Sequence, residues 1–498
     1  MLNLSVIDDK MKKPRVLITY PNFHRYFVPF LPFYEPFVAI LLGSLIKDIA
    51  EASIFDRRYE TEGAWIKTLR SFKPDIIAVR IHTSGEMFTT RRMLEIAKKV
   101  DPNVITIIGG QHPTLLPEDF CQPCFDLICI GPAEETFPEV VKAVGEGGNF
   151  ENIKGLAIRK DDKFIFTEER VIKSGVFKWP KLNRELASKY KRHFTQGITV
   201  ATHGCPHRCK FCSLWFTAKG TYRLRDAEEV VDDIASLPNK HVYIADDNTF
   251  HDYKHALTIY EGLKRRGVRK FYGAYARVDT IIEHPEVFEK WKEIGLRGLV
   301  VGFEVIKNDV LDSLNKKTTV ESNIKAMEFL NKLKIHCYAH FIIFPDFTLK
   351  DFRQLSEFII RHKISEPYYV PLTPTPGTLL FKEAKENDEL SIYNYGFYNL
   401  EYMVYKTKLP KWRWYFEWLR LWFGSITPIF YLRMRRYFPL PTYIWRIGII
   451  LRLAPLMLRN IVEQIIEEKT KRYKDIEETL PPSLRRNYEF RYLKNMPE

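Results

Sequence analysis

"GITVATHGCPHRCKFCS", Gly197–Ser213, decides how the chain is read. It opens on a short apolar run, breaks at Gly204, and then places three of the chain's seven cysteines within eight residues. The spacing is Cys205, three residues, Cys209, two residues, Cys212. Such a run followed by a break reads as a buried strand ending in a loop. A structural zinc site takes four ligands, and here only three thiols cluster. Cys337, inside an expected strand, is the one later cysteine; His203 or His207 offers a nitrogen ligand, so zinc stays open at this point. Three thiolates also suit three irons of a [4Fe–4S] cluster, with the fourth iron left free.

Working downstream, "HVYIADD", "KFYGAYAR", "GLVVGFE", "CYAHFIIFP" and "PYYVPLTP" read as strands separated by helical patterns such as "DAEEVVDDIASL". About six βα units across residues 191–385 predict a complete or partial (β/α)6 TIM-type barrel. The cysteine loop then sits at the carboxyl-end face of its first strand, where barrels carry out chemistry. Upstream, residues 14–150 alternate Ile/Val-rich runs ("RVLITYP", "PDIIAVRI", "VITIIGG", "FDLICIG") with amphipathic stretches. That order predicts a doubly wound, Rossmann-like α/β domain, whose ligands bind beyond the carboxyl ends of the strands. "RIHTSG" (Arg80–Gly85), "GGQHPT" (Gly109–Thr114) and "GPAEET" (Gly131–Thr136) fall there. Residues 151–190 read as a β excursion and linker, and 386–498 as a mostly α-helical, basic and aromatic region.

Composition narrows the class. With 498 residues, 45% hydrophobic and 28% charged, the chain is globular and has several domains. Its formal net charge is +14, which points to an anionic partner. The leading "MLNLSVIDDKMKKPRVLITYP" has an apolar run of only five residues, so no secretory signal is expected. No window holds 18 consecutive apolar residues, so no bilayer-spanning helix is expected. Seven cysteines in this length make no disulfide framework and fit a reducing, cytoplasmic compartment. "CQPC" (Cys121, Cys124) has metal- or redox-type spacing, but Cys129 lies in a buried-looking strand, and inert thiols are the expected reading of all three.

The Cys-x3-Cys-x2-Cys loop, with Phe211 before its last cysteine, resembles the radical S-adenosylmethionine (SAM) superfamily. The resemblance implies that Cys205, Cys209 and Cys212 hold a [4Fe–4S] cluster and that SAM chelates its open iron. One electron from a reductase, flavodoxin or ferredoxin would cleave SAM to a 5′-deoxyadenosyl radical. It further implies SAM contacts from Phe211, Asp246 and Asp247 ("IADDN"), Arg277 ("YAR") and Glu304 ("VGFE"). Acids suit the SAM ammonium, and a guanidinium suits its carboxylate. Read without the resemblance, Arg277 and Asp279 make an ordinary ion pair and Asp247 caps a helix. Within that superfamily, "GGQHPTLLPEDF" and "IGPAEETF" resemble the cobalamin-binding domain. Thr83, Ser84, Gly85, Gly109, Gly110, His112 and Glu134 are the implied cobalamin contacts. No Asp-x-His-x-x-Gly motif offers an axial histidine to cobalt.

The C-terminal region carries five of the nine tryptophans (Trp412, Trp414, Trp418, Trp422, Trp445). Between Lys406 and Arg459, eleven Lys or Arg face one acid, Glu417. Its high Leu and Ile content argues against nucleic acid. Two readings stay open: a helical core, or a membrane surface over 400–460 with Trp and Tyr at the headgroups and Lys and Arg on phosphates. Together with "LTPTPGT", the pattern resembles cobalamin-type radical SAM lipid enzymes, hopanoid C-3 methylases among them. The implied activity is C-methylation of an unactivated lipid carbon by a cytoplasmic enzyme peripheral to the cytoplasmic membrane. Lipid cyclisation or C–C bond formation without methyl transfer is the alternative, and tRNA methylthiolation a more distant one.

Overall fold

The structure is a computed structural model describing residues 13–21, 34–424, 432 and 440–470. Its first sheet has the order β2-β1-β3-β4-β5-β6-β7. The strands are β1 (Arg15–Tyr20), β2 (Glu51–Asp56), β3 (Ile76–Ile81), β4 (Ile105–Gly110), β5 (Leu127–Cys129), β6 (Leu156–Lys160) and β7 (Lys163–Phe166). The first five run parallel, and their Ile- and Val-rich faces are buried on both sides by helices. The order 2-1-3-4-5 is a doubly wound sheet, as the alternation implied. The β excursion is more than a linker: β6 and β7 form an antiparallel hairpin that extends this sheet.

The second large sheet is all parallel, in the order β16-β15-β14-β13-β12-β9. It comprises β9 (Gln196–Thr199), β12 (His241–Ile244), β13 (Phe271–Ala276), β14 (Leu296–Glu304), β15 (His336–Ile343) and β16 (Glu366–Pro371). Six strands taken in chain order with helices between them make an open, partial barrel. A small sheet of β8 (Gly175–Phe177), β11 (Tyr222–Arg225) and β10 (Thr202–Gly204) closes the end that carries the cysteine loop. Strand β14 carries two bulges, since Arg297 and Phe303 have no partner in the ladder to their neighbours. A bulge re-aims the side chains beside it, and both lie on one strand.

The helix Lys411–Gly424 corrects one reading of the aromatic region. Trp414 and Trp418 are fully buried, and their indole N–H groups donate to Phe344 O and Tyr369 O, each at 3.0 Å. Trp422 packs edge-on against Tyr368 and Tyr369. Spaced four apart, these three rings share one helix face and seal the barrel's outer wall. They are core, not a headgroup belt. Trp412 is 62% exposed, and the side chain of Trp445 lies outside the described residues. The helix Leu440–Thr470 crosses the first through Tyr415, Gln464 and Met403. Among the described residues, no helix is long and apolar enough to cross a membrane.

Candidate active site

The cysteine loop leaves β10 at Gly204, whose φ is +85°; a Cβ there would lie 2.3 Å from Thr221 O, so only glycine fits. Two hydrogen bonds pin the loop from the segment after β14: Lys210 N–H donates to Leu314 O (3.1 Å) and Asn315 Nδ2 to Arg208 O (2.9 Å). Cys205 and Cys209 are buried and Cys212 is half-buried. All three line one cavity of about 1630 Å3. Burial pushes the Cys212 thiol up to about 12 and raises Cys205. A thiolate at Cys205 or Cys212 is therefore favoured by positive charge beside it. Arg277 supplies part of that charge, with Nη1 3.6 Å from Cys209 Sγ. Among the described residues, no three His, Cys, Asp or Glu groups converge on a single-ion site.

The residues implied for SAM surround this loop, and each is also held by protein. Asp246, at the end of β12, accepts from Ala201 N (2.7 Å) and Thr202 N (3.0 Å) through Oδ1. Burial lifts its carboxyl to about 7. Asp247 accepts from Gly204 N (2.8 Å); the cap of the next helix is Asp252 instead. Arg277 makes the ion pair with Asp279 (2.7 Å) and also donates to Lys316 O (2.9 Å). Burial works against the Asp279 carboxylate, but the guanidinium outweighs it and holds the group below its ordinary value. Glu304 follows the second bulge with φ +65° and pairs with buried Lys316 at 2.6 Å. Lys316 lies 5.8 Å from the Phe211 ring. Nothing in the motif reading pointed to Lys316. No local sequence signal marks it; its neighbours Asn315 and Lys317 both take positive φ in the structure.

The opposite wall of the cavity is the carboxyl edge of the first sheet. Thr83, Ser84, Gly109, Gly110, His112 and Glu134 all line it. Gly110 has φ +125°, and a Cβ there would lie 2.0 Å from Ile81 O. At Gly131 (φ +81°) a Cβ would meet no atom within 4 Å. Gly131 thus presents bare backbone to open space, and an edge so poor in side chains suits a broad, flat macrocycle. Gly85 departs from expectation: it turns away from the cavity and packs against Gly396 and Asn399. His112 is buried, with Nε2 2.7 Å from Asp119 Oδ2, and its ring meets Phe120 and Tyr395 edge-on. Cys121, Cys124 and Cys129 are buried free thiols, pushed up by burial to about 11, 12 and 12.

Two contacts missed by sequence reasoning join the walls. Ser213, just past the cysteines, donates to Gln111 Oε1 at 3.1 Å, linking the loop to the Gly-Gly-x-His segment. Glu134 meets Arg223 at 3.4 Å. A third wall comes from much later in the chain. Thr373–Thr375 and Tyr398–Glu401 line the cavity, and Gly377 packs on Leu115.

Residues 199–359 match the family described as the radical SAM superfamily, and residues 44–141 match the B12 binding domain. An uncharacterized methyltransferase of Pyrococcus horikoshii is 28% identical, over 74% of this chain and 82% of that one. Hopanoid C-3 methylase of Methylococcus capsulatus is 23% identical (80% and 77%). Anaerobic magnesium-protoporphyrin IX monomethyl ester cyclase of Cereibacter sphaeroides is 28% identical (79% and 67%). The solved methyltransferase TsrM of Kitasatospora setae, with cobalamin and a [4Fe–4S] cluster bound, shares the fold at TM-score 0.63 and 16% identity (76% and 78%). A three-thiol loop that favours positive charge beside it and a facing edge poor in side chains fit the cofactors of these two domains: a [4Fe–4S] cluster, SAM and cobalamin. The chain thus has a B12-binding domain ahead of its radical SAM domain, the layout of cobalamin-type radical SAM enzymes, and it is similar to methyltransferases among them.

Proposed function

We propose that this enzyme methylates an unactivated carbon of a membrane lipid, and that Cys205, Cys209 and Cys212 carry its cluster. The observation that carries the reading is the shared cavity: three thiols, a glycine-edged cradle and the barrel lumen open onto one space. When bound, the cofactors supply a carbon-centred hydrogen abstraction and a methyl group, chemistry that general bases cannot achieve on a non-acidic C–H. The protein's own groups position and shield. Arg277, braced by Asp279 and Lys316 O, supports the Cys209 thiolate. Glu304 and Lys316 present a buried pair of opposite charges beside Phe211, matched to the ammonium and carboxylate of an amino acid moiety. Asp247 and Gln111 fix the loop's two ends relative to the cradle.

The lipid is favoured by the helix Leu440–Thr470, which leaves Ile444, Leu451, Leu458, Val462 and Ile466 exposed along one side. It is also in keeping with the hopanoid C-3 methylase among the relatives. A one-electron donor completes the requirement. Methyl-labelled SAM tests the reading: label recovered in a lipid extract supports it, and label confined to SAM-derived small molecules sinks it. A second reading, bond formation or ring closure without methyl transfer, draws on the relative named as a cyclase. It is the outcome if lipid changes mass without acquiring label.

A further inference from the structure

The barrel is hollow. In a TIM barrel the lumen is packed by bulky side chains from the strands. Here inward positions on the central strands stay accessible while their neighbours are buried. On β13 the pattern is Phe271, Gly273 and Tyr275 accessible against Tyr272, Ala274 and Ala276 buried. On β15, His336, Tyr338 and His340 alternate in the same way with Cys337, Ala339 and Phe341. Tyr275 keeps 39% of its surface accessible although it points into the barrel. Gly273 and Gly298 leave room for flat rings: a Cβ would stand 3.2 Å from the Tyr243 ring and 2.9 Å from the Tyr338 ring. The lumen belongs to the same cavity as the cysteines and runs back to the opposite ends of the strands.

That far mouth is basic. The first bulge of β14 takes Arg297 out of the ladder, and Arg297 lines the cavity. Its guanidinium lies 4.4 Å from the Phe271 ring, and Lys240 lies 4.8 Å from the same ring. His241 and His336 line the mouth beside them. Glu366 is the acid nearby, 3.8 Å from His336. Among the described residues, no carboxylate pairs with Arg297 or Lys240. From Arg297 to Glu304 is seven residues of strand, roughly 20 Å at about 3.3 Å per residue.

We propose that the lumen holds the body of an elongate amphiphile whose anionic end, a phosphate or a carboxylate, lies at Arg297. The reacting carbon then stands roughly 20 Å from that end, deep in the apolar part of the molecule. This rests on the lipid reading above and narrows it to an acidic amphiphile modified far from its headgroup. Tyrosine and histidine rings wall the lumen with flat faces and polar edges, which tolerates a rigid or unsaturated body as well as a straight chain.

Titration calorimetry of the full-length protein with dodecyl phosphate, dodecanoate and dodecanol tests it. The two anions bind, and dodecanol binds at least tenfold more weakly. Arg297→Gln, an exposed position, brings the anions down to the level of dodecanol. Val300→Trp, which fills the lumen at mid-height, abolishes binding of all three while the cluster absorption confirms an intact barrel. The ranking of phosphate over carboxylate, or the reverse, identifies which source the mouth prefers. Dodecanol binding as tightly as the anions, or anion binding indifferent to Arg297→Gln, overturns the anionic end and leaves the lipid reading standing. Binding that survives Val300→Trp places the amphiphile elsewhere and overturns the lumen assignment. Binding of none of the three removes both.

Discussion

Glu86→Gln should stabilise this protein above neutral pH and do nothing for it in mild acid. Glu86 is 1% exposed, and its Oε2 accepts from His82 N at 2.6 Å, folding "HTSGE" back on itself at the rim of the cradle. Burial pushes its carboxyl up to about 7, against smaller opposing help from that N–H and from Arg80. The unfolded chain titrates it near 4.3. Between roughly pH 4 and 7 the folded state therefore holds a proton that the unfolded state has lost. Stability falls as pH rises through that window and levels off above it. The full cost of the buried charge is on the order of 3–4 kcal/mol. A glutamine keeps an acceptor for His82 N–H and carries no charge. Urea unfolding of both proteins, followed by the transition of the N-terminal sheet, gives the check. The variant is expected to gain about 3 kcal/mol at pH 8 and close to zero at pH 4.5. An equal difference at the two pH values would refute the assignment of the penalty to this carboxylate.

Gly110→Ala forces a Cβ onto Ile81 O and a left-handed φ onto alanine; retention of cobalamin through gel filtration should fall at least tenfold, with cluster absorption unchanged. Trp418→Ala empties a buried site and removes the indole donor to Tyr369 O, so thermal or urea unfolding should show a loss of about 3–5 kcal/mol. Lys316→Met leaves Glu304 buried and unpaired, at a cost of about 3–5 kcal/mol in urea unfolding. Adding Glu304→Gln should restore most of it, and a double variant no better than the single would show that the pair is not the source.

Much of this architecture is legible in the residues alone, because the signals are local. The cysteine spacing, the glycines at strand ends and the Ile/Val runs each act over a few residues. What escaped depends on partners far away in sequence. Trp414, Trp418 and Trp422 sit in a basic, aromatic stretch that reads equally well as a membrane surface. The indole N–H groups of Trp414 and Trp418 donate to carbonyls at Phe344 and Tyr369, distant in sequence, and no local pattern reveals those. The hairpin Leu156–Phe166 reads as a β excursion, but that it extends the first sheet does not, because its pairing partner, β5, is only three residues long. Gly85 sits in a ligand-type segment, yet Gly396 and Asn399 occupy its free side. Lys316 and Arg297 belong to no motif: one is aimed by two positive-φ neighbours and the other by a bulge.

The cavity's third wall has a consequence for how the enzyme is made. Gly131 leaves the ribosome 269 residues before Leu400, an interval of about 13–54 s at roughly 5–20 residues per second. An N-terminal domain that folds as a unit on emerging holds a roofless cradle during that interval, since Tyr398–Glu401 has yet to be synthesised. Its largest cofactor thus meets an open face during translation and a walled one afterwards. Biogenesis in cells short of that cofactor would yield chains that have closed over an empty cradle, so cofactor supply during synthesis, more than after it, would set the fraction of competent enzyme.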